Sequence, residues 1–168
     1  MQINIRKAIP ADAPAIARLL VLAWQKAYRG ILSDARLASQ NVDERTQKIQ
    51  NGIATRLDFR YHVLEADGDI AGISLCCPCS DADLTKALEI QAFYIHPHYQ
   101  RQGLGRILMR HTLADLRASG DAAIALWVLK ENHNARAFYE QMGFMADSAE
   151  KLLAHLDNAP VVRYRYTG

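Results

Sequence analysis

Cysteine is almost missing from this sequence: three occur in 168 residues, crowded into "CCPC" as Cys76, Cys77 and Cys79, too close together and odd in number for a disulfide framework. Cys76 and Cys79 have Cys-x-x-Cys spacing, but no second pair completes four metal ligands and no redox-type helix follows, so they read as buried thiols at a strand end. Neither sign of charge dominates. Twenty Lys plus Arg stand against eighteen Asp plus Glu, a net charge of +2, which supplies no global field for nucleic acid or an anionic membrane and makes any anion site a local one. No apolar run is long enough to cross a bilayer, and "MQINIRKAIP" lacks the charged and apolar blocks of a signal peptide, so a cytoplasmic protein is expected. The histidines near the later motifs, His96, His98 and His133, form no metal-ligand set, and no metal is expected. Repeats, low-complexity tracts and linkers are also lacking; half the residues are hydrophobic, and a single domain over 1–168 is expected.

What is present alternates between strand and helix patterns. "QINIRKA" reads as a short strand, and Pro10, Asp12 and Pro14 then punctuate the start of a helix whose stripe is Ile16, Leu19, Leu20, Ala23, Trp24 and Ala27, ended by Gly30. Ser33 to Arg56 reads as one or two helices with a weak apolar stripe. "FRYHVLEADGDIAGISLCC" is a hairpin turning at Asp67, Gly68 and Asp69, residues that tolerate positive φ. "KALEIQAFYI" is a strand closed by Pro97. Leu104, Ile107, Leu108, Leu113 and Leu116 mark a helix that stops at Gly120, and "AAIALWVL" is a buried strand, which would complete a right-handed βαβ unit. "NARAFYEQMGF" puts Ala135, Phe138, Tyr139 and Met142 on one helical face. A last pair of strands is expected near Phe144 and at "VVRYRY", separated by a polar loop from Asp147 to Pro160.

The chemistry concentrates in "HPHYQRQGLGR", His96 to Arg106. A loop that leaves a strand and opens a helix points several backbone N–H groups one way, at the positive end of the helix dipole, and so favours an anion. Gly103 and Gly105 allow close approach, and Arg101 and Arg106 can add charge-assisted hydrogen bonds at the rim. A P-loop is excluded because Gly105 is followed by Arg106 and Ile107 rather than Lys and Ser or Thr. A dinucleotide fingerprint is excluded because Leu108 stands where the third small residue belongs. A purely structural turn remains open.

"QRQGLGR" matches the Gln/Arg-x-x-Gly-x-Gly/Ala pattern of the coenzyme A loop of the GNAT superfamily of N-acetyltransferases. The resemblance extends through "EIQAFYIHPHYQRQGLGRILM" and "LWVLKENHNARAFYEQMGF" and, with the first strand, first helix and hairpin, covers nearly the whole chain. It is similar in particular to bacterial small-amine members, polyamine acetyltransferases among them. The implied fold is α/β (α+β): a mixed central sheet of six to seven strands, splayed between the fourth and fifth, flanked by about four helices. The implied co-substrate is acetyl-CoA, with its pantetheine arm along Phe93, Tyr94 and Ile95 and its pyrophosphate on Gln100, Arg101, Gln102, Gly103, Leu104, Gly105 and Arg106. Asn132, Asn134 and Phe138 complete the set, although either asparagine can equally be a helix N-cap.

The implied reaction is direct attack of a primary amine, from a small molecule or peptide, on the thioester in a ternary complex. Such an amine has a pKa of about 10.4, so only about one molecule in two thousand is free base at neutral pH, and a base is needed. Glu89 resembles the position where many family members place that carboxylate, acting directly or through water; its alternative is a solvent-facing strand residue or a cap on neighbouring amides. Tyr139 of "AFYE" is implied as the acid that protonates the leaving thiolate, and a backbone N–H near Tyr94 as the oxyanion donor. Trp24 and Tyr28 wall an acceptor pocket or belong to the core, and Asp34, Asp147, Glu150 and Asp157 could favour a cationic acceptor. A homodimer is common in the family. A non-catalytic acyl-CoA sensor and an unrelated phosphate-binding α/β protein are the rival readings.

Overall fold

The computed structural model describes residues 1–118, 120 and 122–168. Its twelve main elements are β1 (Ile3–Lys7), α1 (Ala13–Ala27), α2 (Asp34–Ala38), α3 (Val42–Thr55), β2 (Arg60–Ala66), β3 (Asp69–Pro78), β4 (Leu88–Ile95), α4 (Leu104–Arg117), β5 (Ile124–Leu129), α5 (His133–Gln141), β6 (Phe144–Leu153) and β7 (Ala159–Tyr166). The strands form one seven-stranded sheet in the order β1-β2-β3-β4-β5-β7-β6. Only β4 and β5 run parallel; the other neighbours are antiparallel. This is the mixed sheet flanked by helices that the sequence leads one to expect.

The β2–β3 hairpin turns where its composition requires, with Asp67 at φ 51° and Gly68 at φ 93°, the left-handed pair that matches strand twist in a two-residue turn. The helices cover the two faces separately. Ile16, Leu19, Leu20 and Ala23 of α1 pack with Val63 and Ile73, and Ile49 and Ile53 of α3 close over them. Met109, Leu113 and Leu116 of α4 pack on the opposite face with Ile90, Ile124, Leu126, Phe144 and Tyr164. A buried hydrogen bond from Thr112 Oγ1 to Ser74 Oγ (2.8 Å) ties α4 to β3.

The segment Ser33 to Arg56 resolves into α2 and α3. Ser33 caps the first, accepting from the Arg36 amide, and Asn41 caps the second, accepting from Asp43 and Glu44. α3 buries no residue completely, which is why its sequence stripe is weak. The polar loop expected from Asp147 to Pro160 is instead mostly strand. β6 continues to Leu153 with a register shift between Ala146 and Glu150, and only 154–158 connect it to β7. As the sheet's edge strand, β6 buries little beyond Phe144, so it carries no alternating hydrophobic signature. Cys76 and Cys77 are buried and Cys79 is partly so; burial pushes the Cys76 thiol up to about 12 and Cys77 up to about 11, which keeps both unreactive at neutral pH.

Candidate active site

β4 and β5 are paired only at Leu88↔Ile124 and Glu89↔Ala125. Just beyond, a register irregularity in the β3–β4 ladder leaves Gln91 unmatched, and a bulge of this kind bends and twists its strand. β4 stays with β3 through Ile95 while β5 follows β7, so a wedge opens between them. The direction of the free backbone groups follows from alternation in an antiparallel pair. His96 N–H donates to the Ala71 carbonyl of β3 (2.8 Å); Tyr94, two residues earlier, also faces β3, and Phe93 and Ile95 turn their amides into the wedge. Gln100 Nε2 already satisfies the Ile95 carbonyl (3.0 Å).

The amides at the start of α4 lie past the end of β4. Gly103 is the N-cap, at φ 82° and with no side chain to cap the helix, and Arg101 also has a left-handed φ, 66°. Arg106 N–H is turned back to the Gly103 carbonyl (3.0 Å), whereas Leu104 and Gly105, the first two residues of the helix, have no intrahelical acceptor by construction. The Leu104 side chain is buried with Leu64 and Leu108, so this residue offers its amide alone. Arg106 reaches Gln141 Oε1 (2.8 Å), Gln102 holds the His98 carbonyl, and Arg101 is exposed. The arrangement is an uncapped helix N-terminus with cations at its rim, suited to a phosphate group.

Aromatic side chains close on the wedge from both faces. Phe138 of α5 stacks on Phe93 (5.7 Å between centroids), and Tyr139 packs edge-on against Phe138 and Phe144. Burial and the neighbouring Tyr94 hold the Tyr139 phenol well above its usual pKa. On the other face the Tyr94 and Tyr28 hydroxyls meet at 2.6 Å, and Trp24 packs edge-on to Tyr28 at 5.2 Å. Trp24 and Tyr28 pack against the core. They are half-buried beside Leu32, Leu37, Leu129, Leu156 and Val161, yet the Tyr28 hydroxyl is presented to the Tyr94 end of β4.

Glu89 stands at the apex of the wedge, half-buried. Burial raises its pKa, with Lys151 opposing and Asp81 adding to the effect. Asn132 is the N-cap of α5, accepting from Ala135 N–H (3.2 Å), and Asn134 lies exposed in the first turn. Among the described residues no group of His, Cys, Asp and Glu could hold a metal ion.

Two features of this face have no signature in the sequence. Arg163 of β7, 5% exposed, binds Asp83, Asp81 and Asp147 at 2.6–3.2 Å, and Asp81 also accepts from Trp127 Nε1 (2.9 Å). The hydrogen bonds that Arg163 donates, to Asp83 first and then to Asp81 and Asp147, raise its pKa against burial. The second is Arg45 of α3, whose guanidinium lies 4.5 Å over the Trp24 ring. These groups come from separate elements, and only folding brings them together.

The comparisons agree with this geometry. The chain is 28% identical over 97% of its length to a Mycobacterium tuberculosis protein described as a probable N-acetyltransferase, of which the match covers 92%. It is 46% identical over 50 residues, 30% of this chain and 34% of the relative, to the ribosomal protein bS18-alanine N-acetyltransferase of Escherichia coli. The PaiA N-acetyltransferase of Thermoplasma acidophilum, solved in complex with coenzyme A, superposes with a TM-score of 0.81 at 21% identity, covering 99% of this chain and all of that one. A sequence model of the acetyltransferase (GNAT) family matches residues 18–144, the span that contains the wedge, the glycine loop and the tyrosine helix. With that match over most of its length, the chain belongs to the GNAT acetyltransferase family.

Proposed function

We propose that this protein is a cytoplasmic, single-domain N-acetyltransferase that moves the acetyl group of acetyl-CoA to a primary amine by direct attack within a ternary complex. The observation that carries the reading is the wedge: β4 and β5 part after Glu89, leaving the Phe93 and Ile95 amides facing a gap that leads to the uncapped start of α4. An extended amide-bearing arm can add to such an edge as a strand would, and a pyrophosphate suits the bare amides and cations at its end. The residues therefore fit acetyl-CoA, and the coenzyme in the T. acidophilum relative supports the assignment. No helix among the described residues is long and apolar enough to cross a membrane.

Phe93, Ile95, Gln102, Gly103, Leu104 and Gly105 hold the coenzyme through their backbones in this reading, with Arg101 and Arg106 at the rim, Phe138 beside the arm, and Asn132 and Asn134 at its flank. The co-substrate supplies an activated thioester. Glu89 takes the amine's proton, directly or through water; its raised pKa makes it a stronger base than an exposed glutamate. The wedge amides donate to the carbonyl oxygen as it gains charge. Tyr139, whose pKa is too high for it to ionise near neutral pH, acts as a proton donor rather than a base. The E. coli relative is named for acetylating an alanine of a ribosomal protein, which supports an amine acceptor.

Calorimetric titration of the purified chain with acetyl-CoA tests the coenzyme site, and thiol release in the presence of amines tests transfer. Saturable binding with amine-dependent thiol release is expected. Absence of any saturable heat defeats the reading, and binding without thiol release across a broad amine panel would leave a sensor.

A further inference from the structure

We infer that the acceptor amine carries a carboxylate on the same small molecule, as an amino acid does, and that Arg45 with Arg36 receives it; this rests on the acetyltransferase reading and narrows it. Arg45 is half-buried on the first turn of α3. One face of its guanidinium lies on Trp24, and its hydrogen bonds run to the neutral Gln40 Oε1. No carboxylate pairs with it among the described residues. Desolvating a cation without a counter-charge is unfavourable, and burial indeed lowers the Arg45 pKa. Elsewhere in the molecule the rule is obeyed: Arg6, Arg60 and Arg163 each face a carboxylate.

Arg36 sharpens the conflict. It lies within electrostatic reach of Arg45 and opposes its charge, and its Nε is buried without a partner, while its terminal nitrogen donates to the His155 carbonyl. Gln40 joins the two, its Oε1 accepting from Arg45 Nε (3.1 Å) and its Nε2 donating to the Arg36 carbonyl (3.0 Å); neighbouring arginines with spare donors and no carboxylate partner among the described residues form a site that a carboxylate would complete. The position suits an acceptor. Arg45 lies on Trp24, Trp24 packs on Tyr28, and the Tyr28 hydroxyl meets that of Tyr94 on β4, the strand whose Phe93 and Ile95 amides face the wedge. An amine directed into the wedge would leave the rest of its molecule beside these groups.

The acids that would favour a polycation are otherwise engaged. Asp147 is bound to Arg163, Glu150 to Lys130, and Asp157 accepts from Ser33 Oγ (2.9 Å). Asp34 sits in the first turn of α2, where it complements the helix dipole. A spermidine-like acceptor would approach two arginines that pair with no carboxylate among the described residues.

The test compares each of the common amino acids with its amide and its decarboxylated amine, with spermidine included, by thiol release from acetyl-CoA. At least one amino acid should exceed its amide and its amine at least tenfold in kcat/KM. Arg45→Gln should raise the KM for that acid at least tenfold and remove the discrimination, Arg45→Lys should restore part of it, and Arg36→Gln should weaken it further. Acetyl-CoA titration of each variant confirms that it is folded and loaded. Equal rates for acid and amide, spermidine as the best acceptor, discrimination that survives Arg45→Gln, or no turnover of any amino acid by a chain that binds acetyl-CoA overturns the inference while sparing the family reading. Failure to bind acetyl-CoA at all defeats both.

Discussion

The two glycines of the "QGLG" loop should respond to the same substitution with opposite signs. Gly103 has φ 82° and nothing within 4 Å of where a Cβ would lie, so Gly103→Ala meets no clash and costs only the left-handed backbone, about 1–2 kcal/mol. Gly105 is not left-handed; its Cβ would rest 3.5 Å from the Phe138 ring and 3.7 Å from Ile95 Cγ1, ordinary contact distances. Gly105→Ala should therefore gain about 0.5–1 kcal/mol by restricting the unfolded chain in a helical position. For a chain of this size each kcal/mol moves Tm by about 2–4 °C. Thermal unfolding of the ligand-free protein should show Gly103→Ala lower by about 2–8 °C and Gly105→Ala higher by about 1–4 °C. Binding should separate them too. Relaxation of the strained cap redirects the first α4 amides, and roughly a tenfold loss of acetyl-CoA affinity, about 1.4 kcal/mol, is expected for Gly103→Ala and little change for Gly105→Ala. A β-branched residue at Gly105 would go beyond the space available and weaken binding as well. Tm shifts of the same sign for the two alanine variants, or unchanged acetyl-CoA affinity in Gly103→Ala, would refute this account of the loop.

The remaining expectations concern single side chains. Tyr139→Phe should lower kcat by about a hundredfold or more, the usual range for loss of a general acid, while calorimetry shows nearly unchanged acetyl-CoA affinity; retained turnover removes Tyr139 from the mechanism. Glu89→Gln should lower kcat/KM at least about tenfold at pH 7 and recover partly as the pH approaches that of the free amine. In the unaltered enzyme the acid limb attributable to Glu89 should lie above the ordinary glutamate value, because burial raises its pKa; an identical profile in Glu89→Gln assigns the limb elsewhere. His62 is 2% exposed, and burial holds its pKa down although Asp115, at 3.7 Å, pulls it up. The unfolded chain thus binds this proton more readily, so its contribution to stability is complete above about pH 6.5 and is lost as the pH falls through the lower folded value. Urea midpoints measured from pH 7.5 to 5.5 should fall less steeply for His62→Leu; parallel slopes would show that His62 is not responsible.

Where the chain carries local grammar, the sequence was readable. Alternation around Asp67-Gly68 specifies the hairpin, and "QRQGLGR" between an apolar strand and an amphipathic stripe specifies the turn that opens α4 at Gly103. "NHNARAFYE" specifies a capped helix, and Asn132 indeed caps it. The two helices with glycine stop signals end shortly before them, α1 at Ala27 ahead of Gly30 and α4 at Arg117 ahead of Gly120. The local reading that failed took β6 from Asp147 onward for a loop. An edge strand with one partner and a solvent face is held by backbone pairing to β7, which leaves no mark in the side chains.

The sequence by itself determined the order of elements and the glycine turn, because these follow from periodicity, turn residues and motif spacing within short stretches, and its resemblance to a family implied Glu89 and Tyr139 as candidate chemistry. Tertiary structure alone decided what surrounds that chemistry. It joined Tyr28 to Tyr94, gave Arg163 to three aspartates and left Arg45 on Trp24 with no carboxylate partner among the described residues. A charged residue's partner, or its lack of one, depends on which distant segments folding places beside it and on how much water remains there, and neither is encoded in the residue's own neighbourhood along the chain.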